Sequence, residues 1–308
     1  MAYHNPVLLN TSIENLITDR DGIYVDATFG GGGHSRAILR AIENGRLVAF
    51  DQDADAQAQI IDDRRFTFVD SNFKNLERFL KYHKAYPVDG ILADLGVSSH
   101  QIDTDERGFS YRKDGVLDMR MNQNNPKSAQ NVVAEYDEQI LSGLFYKYGE
   151  LREGRIIASM IVKARSVAPI TTTQQLVEAV KPCLPRGREN KVLSKIFQAI
   201  RIEVNDEMSV LESFLLQTTN ALKVGGRIAV ISYHSLEDRM VKNFLRSGNL
   251  DGEIKKDFFG NPQTPFRLIT RKAIQPTEEE IAENPRARSA KLRVAERIMP
   301  VNHEINVK

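Results

Sequence analysis

Four aspartates in the first third of the sequence each end a short apolar run. They are Asp26, Asp51, Asp70 and Asp94. A carboxylate accepts hydrogen bonds from two neighbouring hydroxyls of a sugar, and its negative charge attracts a cationic ligand. Four such acids at the ends of four successive runs indicate a binding site that is assembled from several segments of the chain.

A run of four glycines follows the first of these aspartates. Apolar residues at 23–25 lead towards the glycines at 30–33, and residues 36–42 have the apolar spacing of a helix. Glycine permits positive φ angles and lets a ligand approach the main chain, while a helix start offers free N–H groups. A strand, a glycine turn and a helix start are typical of a nucleotide-type binding loop. A simple tight turn is the alternative at this point.

Two of the aspartates favour one cofactor for this loop. Asp51 lies 18 residues after Gly33, close to the roughly 20 expected before an acid that binds ribose hydroxyls; a helix cap is its alternative role. Asp26 would repel a pyrophosphate, and Ser35 stands where the dinucleotide fingerprint G-x-G-x-x-G has its last glycine. The same negative charge would attract the ammonium group of S-adenosylmethionine. The sequence therefore favours S-adenosylmethionine over NAD.

Predicted strands and helices alternate on either side of the glycine loop. After the first strand, strands are predicted at 46–51, 66–70, 90–95 and 225–232, and helices at 54–61, 76–83, 206–223 and 236–245. The alternation predicts a parallel sheet with helices on both faces and a ligand outside the carboxyl ends of the strands. Two last strands at 267–270 and 291–295 fit an antiparallel edge pair. The predicted fold class is α/β, with the class I (Rossmann-like) sheet of S-adenosylmethionine methyltransferases.

The middle of the chain interrupts this alternation with predicted helices. We predict that residues 108–205 form an inserted helical domain for recognition of an RNA substrate. Residues 1–107 and 206–308 would then form the cofactor-binding methyltransferase domain. Within 147–201 the sequence has eleven Lys or Arg and four Glu. This local positive excess indicates a polyanionic partner, with a solvated helical surface as the alternative.

The composition of the 308-residue chain is typical of a globular protein in the cytoplasm. Hydrophobic residues make up 41% of the chain, its net charge is +1, and Cys183 is the only cysteine. No His or Cys pair has metal-site spacing, and no apolar run approaches the roughly 20 residues of a membrane helix. The first ten residues lack the pattern of a signal peptide. We predict no metal, no membrane association and a cytoplasmic location.

The segment after Asp94 bears on the acceptor of the methyl group. In methyltransferases that act on amino groups, this position carries a polar residue, often with prolines and an aromatic ring. A carboxylate that accepts an N–H bond makes an exocyclic amine more nucleophilic and helps to remove its proton. Residues 95–97 supply no ring, so the aromatic partner would be Phe109, Tyr111 or Tyr233. The role of Asp94 stays open between cofactor contact and catalysis.

Eight segments together resemble one known family, the bacterial small-subunit ribosomal RNA cytosine-N4 methyltransferases, or RsmH (MraW) family. The resemblance runs from His4 to about Arg297, in the same order and spacing. The segments begin at His4, Asp26, Asp94, Glu106, Leu117, Phe197, His234 and Asn284. Individual roles for Asp118, Arg120, Ser232, His234 and Arg201 in these segments are left open. The Arg286–Ser289 loop is a candidate for contact with RNA phosphate.

The resemblance implies methyl transfer from S-adenosylmethionine to N4 of a cytidine in the decoding (P-site) region of small-subunit 16S ribosomal RNA. We predict Asp94 as the catalytic residue. The resemblance also implies cofactor contacts from Gly32, Gly33, His34, Asp51, Phe73, Asp94 and Gln101. The alternatives are an NAD-dependent oxidoreductase and a non-catalytic RNA-binding factor of ribosome assembly. The oligomeric state and the choice between free RNA and the small ribosomal subunit are left open.

Overall fold

A computed structural model describes residues 6–299 of the chain, so His4 lies outside the described residues. The chain divides into two compact units. The first consists of Met1–Gly96 and Ser209–Lys308, and the second of Val97–Met208. The second unit is therefore an insertion between two parts of the first.

The first unit is built on a seven-stranded sheet with the order β3-β2-β1-β4-β5-β7-β6. The strands are β1 (Ile23–Asp26), β2 (Arg46–Asp51), β3 (Phe66–Asp70), β4 (Val88–Asp94), β5 (Leu222–Ser232), β6 (Phe266–Leu268) and β7 (Lys291–Arg297). The strands β1 to β5 pair in parallel, whereas β7 is antiparallel to both β5 and β6. This is the class I methyltransferase sheet with its antiparallel edge pair, so the predicted fold class is confirmed.

Helices cover both faces of this sheet because its central strands are apolar on both sides. Val25 and Ile91 pack into one buried cluster, and their chain neighbours Tyr24 and Leu92 pack into another. Side chains of a strand alternate between faces, so two layers of helices are needed to bury both sets. Before the insertion these helices are α1 (Leu9–Leu16), α2 (Gly33–Ala41) and α3 (Leu76–Tyr82).

The second unit is helical and has its own apolar core. Its helices are α4 (Ser99–Asp103), α5 (Ala129–Glu135), α6 (Glu138–Gly149), α7 (Gly154–Arg165), α8 (Thr173–Val180) and α9 (Glu189–Asn205). Phe145, Ile157 and Ile196 are buried together in that core. The chain then returns to the first unit through α10 (Glu207–Ala221), α11 (Ser235–Ser247) and α12 (Glu278–Glu283).

Several polar residues of the resembling segments have structural partners inside the second unit. Arg120 binds Asp118 through paired contacts, with Nη2 at 2.7 Å from Oδ2. Arg201 donates to both oxygens of Glu207, at 2.8 and 2.9 Å. Paired contacts between a guanidinium and a carboxylate fix the geometry of both side chains. These residues therefore hold the ends of helices and loops in place.

One predicted element differs from the structure. The predicted helix at 54–61 is a 3-10 turn over Ala54–Gln59, capped by the Asp53 side chain, which accepts from the N–H of Asp55. Within this turn only Ala56 is buried. A short segment without an apolar stripe gains too little from packing to hold an α-helix.

Among residues 6–299, no helix is both long and apolar enough to span a bilayer.

Candidate cofactor site and active site

Three aspartates end adjacent parallel strands at one edge of the sheet in the first unit. Asp51 ends β2, Asp26 ends β1, and Asp94 ends β4, which are neighbours in that order. Asp70 ends the outer strand β3, where it is exposed and accepts a hydrogen bond from Gln57. The sheet thus brings three of the four predicted acids into one site, where Asp26 is buried and Asp51 and Asp94 are half-buried.

Asp26 anchors the glycine loop to the start of α2. Its Oδ2 accepts a 2.7 Å hydrogen bond from Ser35 Oγ, and its Oδ1 accepts from the N–H of Thr28 at 3.1 Å. Burial raises the pKa of Asp26 to about 6, although these two hydrogen bonds oppose the shift. The carboxyl that is expected to attract a cation therefore also fixes the glycine loop.

The glycine loop takes backbone conformations that residues with a side chain rarely adopt. Gly30 and Gly32 have φ angles of 49° and 75°. A Cβ atom on Gly33 would collide with the ring of Pro6, and one on Gly32 would lie 3.0 Å from the ring of Phe29. Because the following helix α2 begins at Gly33, its first N–H groups lie in this loop.

Asp51 faces the loop from the end of the neighbouring strand. Its Oδ2 accepts a 2.7 Å hydrogen bond from the N–H of Gly30, and its Oδ1 accepts from the N–H of Asp53 at 2.8 Å. Burial raises the pKa of Asp51 to about 6. A main-chain hydrogen bond at Gln52 also stabilises the carboxylate. Since a carboxylate has about four acceptor sites, one site remains for a ribose hydroxyl.

Asp94 is held by two side chains from different segments. Tyr233 donates its hydroxyl to Asp94 Oδ1 at 2.8 Å, and Thr28 Oγ1 accepts from the N–H of Asp94 at 2.7 Å. Burial, followed by repulsion from Asp26, raises the pKa of Asp94 to about 7, and the bond from Tyr233 opposes this shift. Asp94 is thus poised between its neutral and ionised forms near neutral pH.

His34 lies beside Asp94 without forming an ion pair. Its Nδ1 is 3.8 Å from Asp94 Oδ2. Burial lowers the pKa of His34 to about 4, so the ring is neutral at pH 7. Within the described part of the chain its Nε2 is buried and makes no hydrogen bond. A buried ring nitrogen without a partner costs free energy unless a ligand supplies the missing bond.

The donor set of this site fits a cationic ligand that also carries a ribose. The pKa values of Asp26, Asp51 and Asp94 are all raised, and mutual repulsion contributes to the shifts of Asp26 and Asp94. Clustered carboxyls of this kind are stabilised in their ionised form by a nearby positive charge. S-adenosylmethionine carries a sulfonium and an ammonium group together with a ribose, and it therefore suits these residues.

Cofactor binding should accordingly release protons at mildly acidic pH. At pH 6 the three carboxyls are partly protonated, and a bound cation lowers their pKa values, so protons leave the protein. Calorimetric titration with S-adenosylmethionine in two buffers of different ionisation enthalpy should give different heats at pH 6. The difference should vanish at pH 8.5, where the free site is already ionised. Equal heats in both buffers at pH 6 would contradict this electrostatic picture.

The other predicted contact residues lie in different surroundings. Phe73 follows β3 in the first unit, half-buried, with its ring packed edge-on against Phe214 at 5.1 Å. Gln101 belongs to the second unit, where its side chain accepts from the N–H of Ser98 and forms a capping box at the start of α4. Of the aromatic candidates, Tyr111 packs against Phe197 in the second unit, at 5.6 Å.

The family model and the relatives of similar sequence identify one family. The MraW methylase family matches residues 1–298 of the chain. The chain belongs to this family. It is 57% identical to the ribosomal RNA small subunit methyltransferase H of Bacteroides fragilis, over 96% of this chain and 98% of that one. It is 56% identical to the protein of the same name from Flavobacterium johnsoniae, over 97% and 99%. A solved rRNA methylase from Streptococcus thermophilus aligns over 94% and 93%, with 13% identity and a TM-score of 0.37.

Membership of this family confirms that the chain is a methyltransferase enzyme. The prediction of the family from its eight segments is confirmed. The prediction of S-adenosylmethionine as the cofactor is confirmed with it. The family gives no support to the oxidoreductase or to the non-catalytic assembly factor.

The sequence does not identify the hydrogen-bond partner of the Asp94 side chain. Tyr233 was one of three aromatic candidates for the target base, but its hydrogen bond to Asp94 was not foreseen. The signal was present, since residues 233–235 follow β5 and carboxyl ends of parallel strands share one edge. Thr28 Oγ1 accepts a hydrogen bond from the N–H of Asp94, and no pattern in the sequence predicts this contact.

Removal of the Tyr233 hydroxyl should move the pH dependence of the reaction. In the Tyr233→Phe variant Asp94 loses a hydrogen bond that lowers its pKa, so its ionised form appears at higher pH. We expect kcat/KM to fall about tenfold at pH 7, from the loss of one bond to a charged group, and to recover by pH 9. A uniform decrease at every pH would instead indicate a purely structural role for the hydroxyl.

Proposed function

We propose that this enzyme transfers a methyl group from S-adenosylmethionine to the N4 amine of a cytidine in the decoding (P-site) region of small-subunit 16S ribosomal RNA. The observation that carries the proposal is the Asp94 carboxyl, which lies at the end of β4 with its Oδ1 bound by Tyr233. The names of the relatives from Bacteroides fragilis and Flavobacterium johnsoniae support a small-subunit RNA as the substrate.

Asp94 would act on the amine and its proton. The lone pair of an exocyclic base amine is delocalised into the ring, which makes the nitrogen a poor nucleophile. A carboxylate that accepts one N–H bond localises this pair and can take the proton as the new C–N bond forms. The cofactor supplies a methyl group already activated on a sulfonium, so the rest of the catalytic effect is alignment.

The cofactor contacts in this proposal divide by chemistry. Asp51 would accept a ribose hydroxyl, and the N–H of Gly33 would face the methionine part. The main chain of Gly32 would lie beside it, with its own N–H donated to the carbonyl of Phe29 at 2.7 Å. His34 would donate from its buried nitrogen, and Phe73 would stack against adenine with its free face. Gln101 would bind the methionine end, as the family resemblance implies.

The RNA partner in this proposal is recognised in part by the inserted domain at 108–205. Its segment 147–201 has an excess of seven positive charges, which suits contacts to phosphates. A cytoplasmic location, where ribosomal subunits are assembled, belongs to the same proposal, and the free thiol of Cys183 suits it.

The deciding experiment uses ribosomal RNA from a strain that lacks this gene. We expect mass spectrometry to find one methyl missing from one decoding-region cytidine, and the purified enzyme with labelled S-adenosylmethionine to restore it. Parallel reactions on free 16S RNA and on intact small subunits would identify the form that is methylated. An unchanged methylation pattern in the deletion strain would contradict the proposal.

A further inference from the structure

A pocket of about 260 Å³ lies beside the active-site tyrosine in the first unit. Its lining residues come from the start of α11, from the Arg286–Ser289 loop and from the start of β7. They include Tyr233, His234, Ser235, Arg288, Ser289 and Lys291. Pockets for drug-sized ligands are typically about 300–1,000 Å³, so this one suits a phosphate group with part of its sugar.

Positive charge predominates in the pocket. Arg288 is exposed on the loop, and Lys291 Nζ lies 3.1 Å from Asp238 Oδ2. Asp238 also binds Arg293 at 2.7 Å, so two cations share this one carboxylate. Two further acids nearby accept main-chain bonds: Glu237 from the N–H groups of Tyr233 at 2.9 Å and His234 at 3.3 Å, and Glu280 from that of Leu8 at 2.6 Å. The arrangement leaves a net attraction for an anion.

The start of α11 adds donors on the same side. The helix has thirteen residues, and its N-terminal end carries the positive side of the helix dipole. His234 caps it, with a side chain only 8% exposed. Its Nδ1 accepts from the N–H of Glu237, while its Nε2 has no hydrogen-bond partner among residues 6–299, although Glu237 Oε1 is 3.2 Å away. His234 and Ser235, at the start of this helix, both line the pocket.

We propose that this pocket binds a phosphodiester group of the RNA backbone next to the target nucleotide. The inference rests on the proposed function and specifies how the substrate is placed. Tyr233 lines the pocket and bonds Asp94, so a phosphate held here fixes one nucleotide at a set distance from the catalytic carboxyl. Contacts to phosphate fix the position of the RNA on the protein. The pocket for the target base then has to distinguish only the base that this position brings to it.

Arg288→Ala tests the proposal, because Arg288 is not paired with Asp238 and lies outside the catalytic contacts. Arg288→Lys keeps the charge, and Arg286→Ala removes an equal charge from the same loop outside the pocket. We expect Arg288→Ala to raise KM for RNA about tenfold with an unchanged KM for S-adenosylmethionine. The slope of log KM against log salt should fall by about 0.7–1, the value for one lost phosphate contact. Arg288→Lys and Arg286→Ala should stay within about twofold of the unaltered enzyme.

The proposal would be overturned if Arg288→Ala left the slope of log KM against log salt unchanged, or if Arg286→Ala raised KM for RNA equally. Either result would indicate general charge attraction rather than binding in the pocket. RNA binding by filter retention without cofactor separates the two proposals. Binding that depends on Arg288 without any methyl transfer would keep the pocket and contradict the proposed function. Inorganic phosphate and cytidine 5′-monophosphate serve as competitors: inhibition by the nucleotide, weakened in Arg288→Ala, supports a backbone phosphate. Inhibition by phosphate alone, equal in both proteins, would contradict it.

Discussion

The Asp94→Asn variant should lose methyl transfer by about 10²- to 10⁴-fold in kcat, the usual contribution of a positioned acid–base group. An amide oxygen still accepts the N–H of the target amine but cannot take its proton. Because the pKa of Asp94 is about 7 without cofactor, kcat/KM for S-adenosylmethionine should rise in the unaltered enzyme as the pH increases through that value. The rise should be absent in the variant. The measurement is transfer of labelled methyl to unmethylated small-subunit RNA.

Asp89→Asn is the matched control, since Asp89 lies at the opposite end of the same strand. Its carboxylate binds the N–H of Ile23 and the ammonium of Lys223. Its loss should reduce the free energy of unfolding while the pH profile keeps its midpoint. A rate for Asp94→Asn within about threefold of the unaltered enzyme, at full cofactor and RNA saturation, would remove Asp94 from the proton transfer.

The Asp51→Ala variant should bind S-adenosylmethionine about 100-fold more weakly. A hydroxyl bond to a carboxylate is lost, and about 3 kcal/mol is the upper value for a hydrogen bond to a charged group. The N–H of Gly30 also loses its acceptor, which loosens the glycine loop. Calorimetric titration of the cofactor gives Kd directly, and kcat at saturating cofactor should change much less than KM.

Asp70→Asn is the control for Asp51, because the two residues are register partners at the ends of β2 and β3. Asp70 is exposed, and its side chain accepts a hydrogen bond from Gln57. The affinity of the Asp70→Asn variant for S-adenosylmethionine should stay within about twofold of that of the unaltered protein. Equal losses in both variants would indicate that general negative charge, rather than the Asp51 contacts, holds the cofactor.

The acids and glycines of the site could be predicted from the sequence because one rule connects them. Parallel strands place their carboxyl ends at one edge, so Asp26, Asp51 and Asp94 meet wherever the strands alternate with helices. The rule does not give strand order, and only the order of the sheet separates Asp70 on β3 from the buried acids. For a related reason, the sequence does not predict that Tyr233 is the partner of Asp94. Tyr233 follows a strand that returns after the whole insertion, and aromatic residues within the insertion were equally plausible from spacing alone.

The insertion of the second unit has a consequence for synthesis of the protein. The strand β4 ends just before the insertion, and its neighbour β5 is translated only after it. At a translation rate of about 5–20 residues per second, one edge of β4 stays unpaired for on the order of 10 s. That edge carries Ile91, Leu92 and Ala93, an apolar run able to pair with another chain. The helical unit, rich in local contacts, folds quickly during this interval. Nascent chains are therefore most exposed to aggregation before Leu222–Ser232 leaves the ribosome.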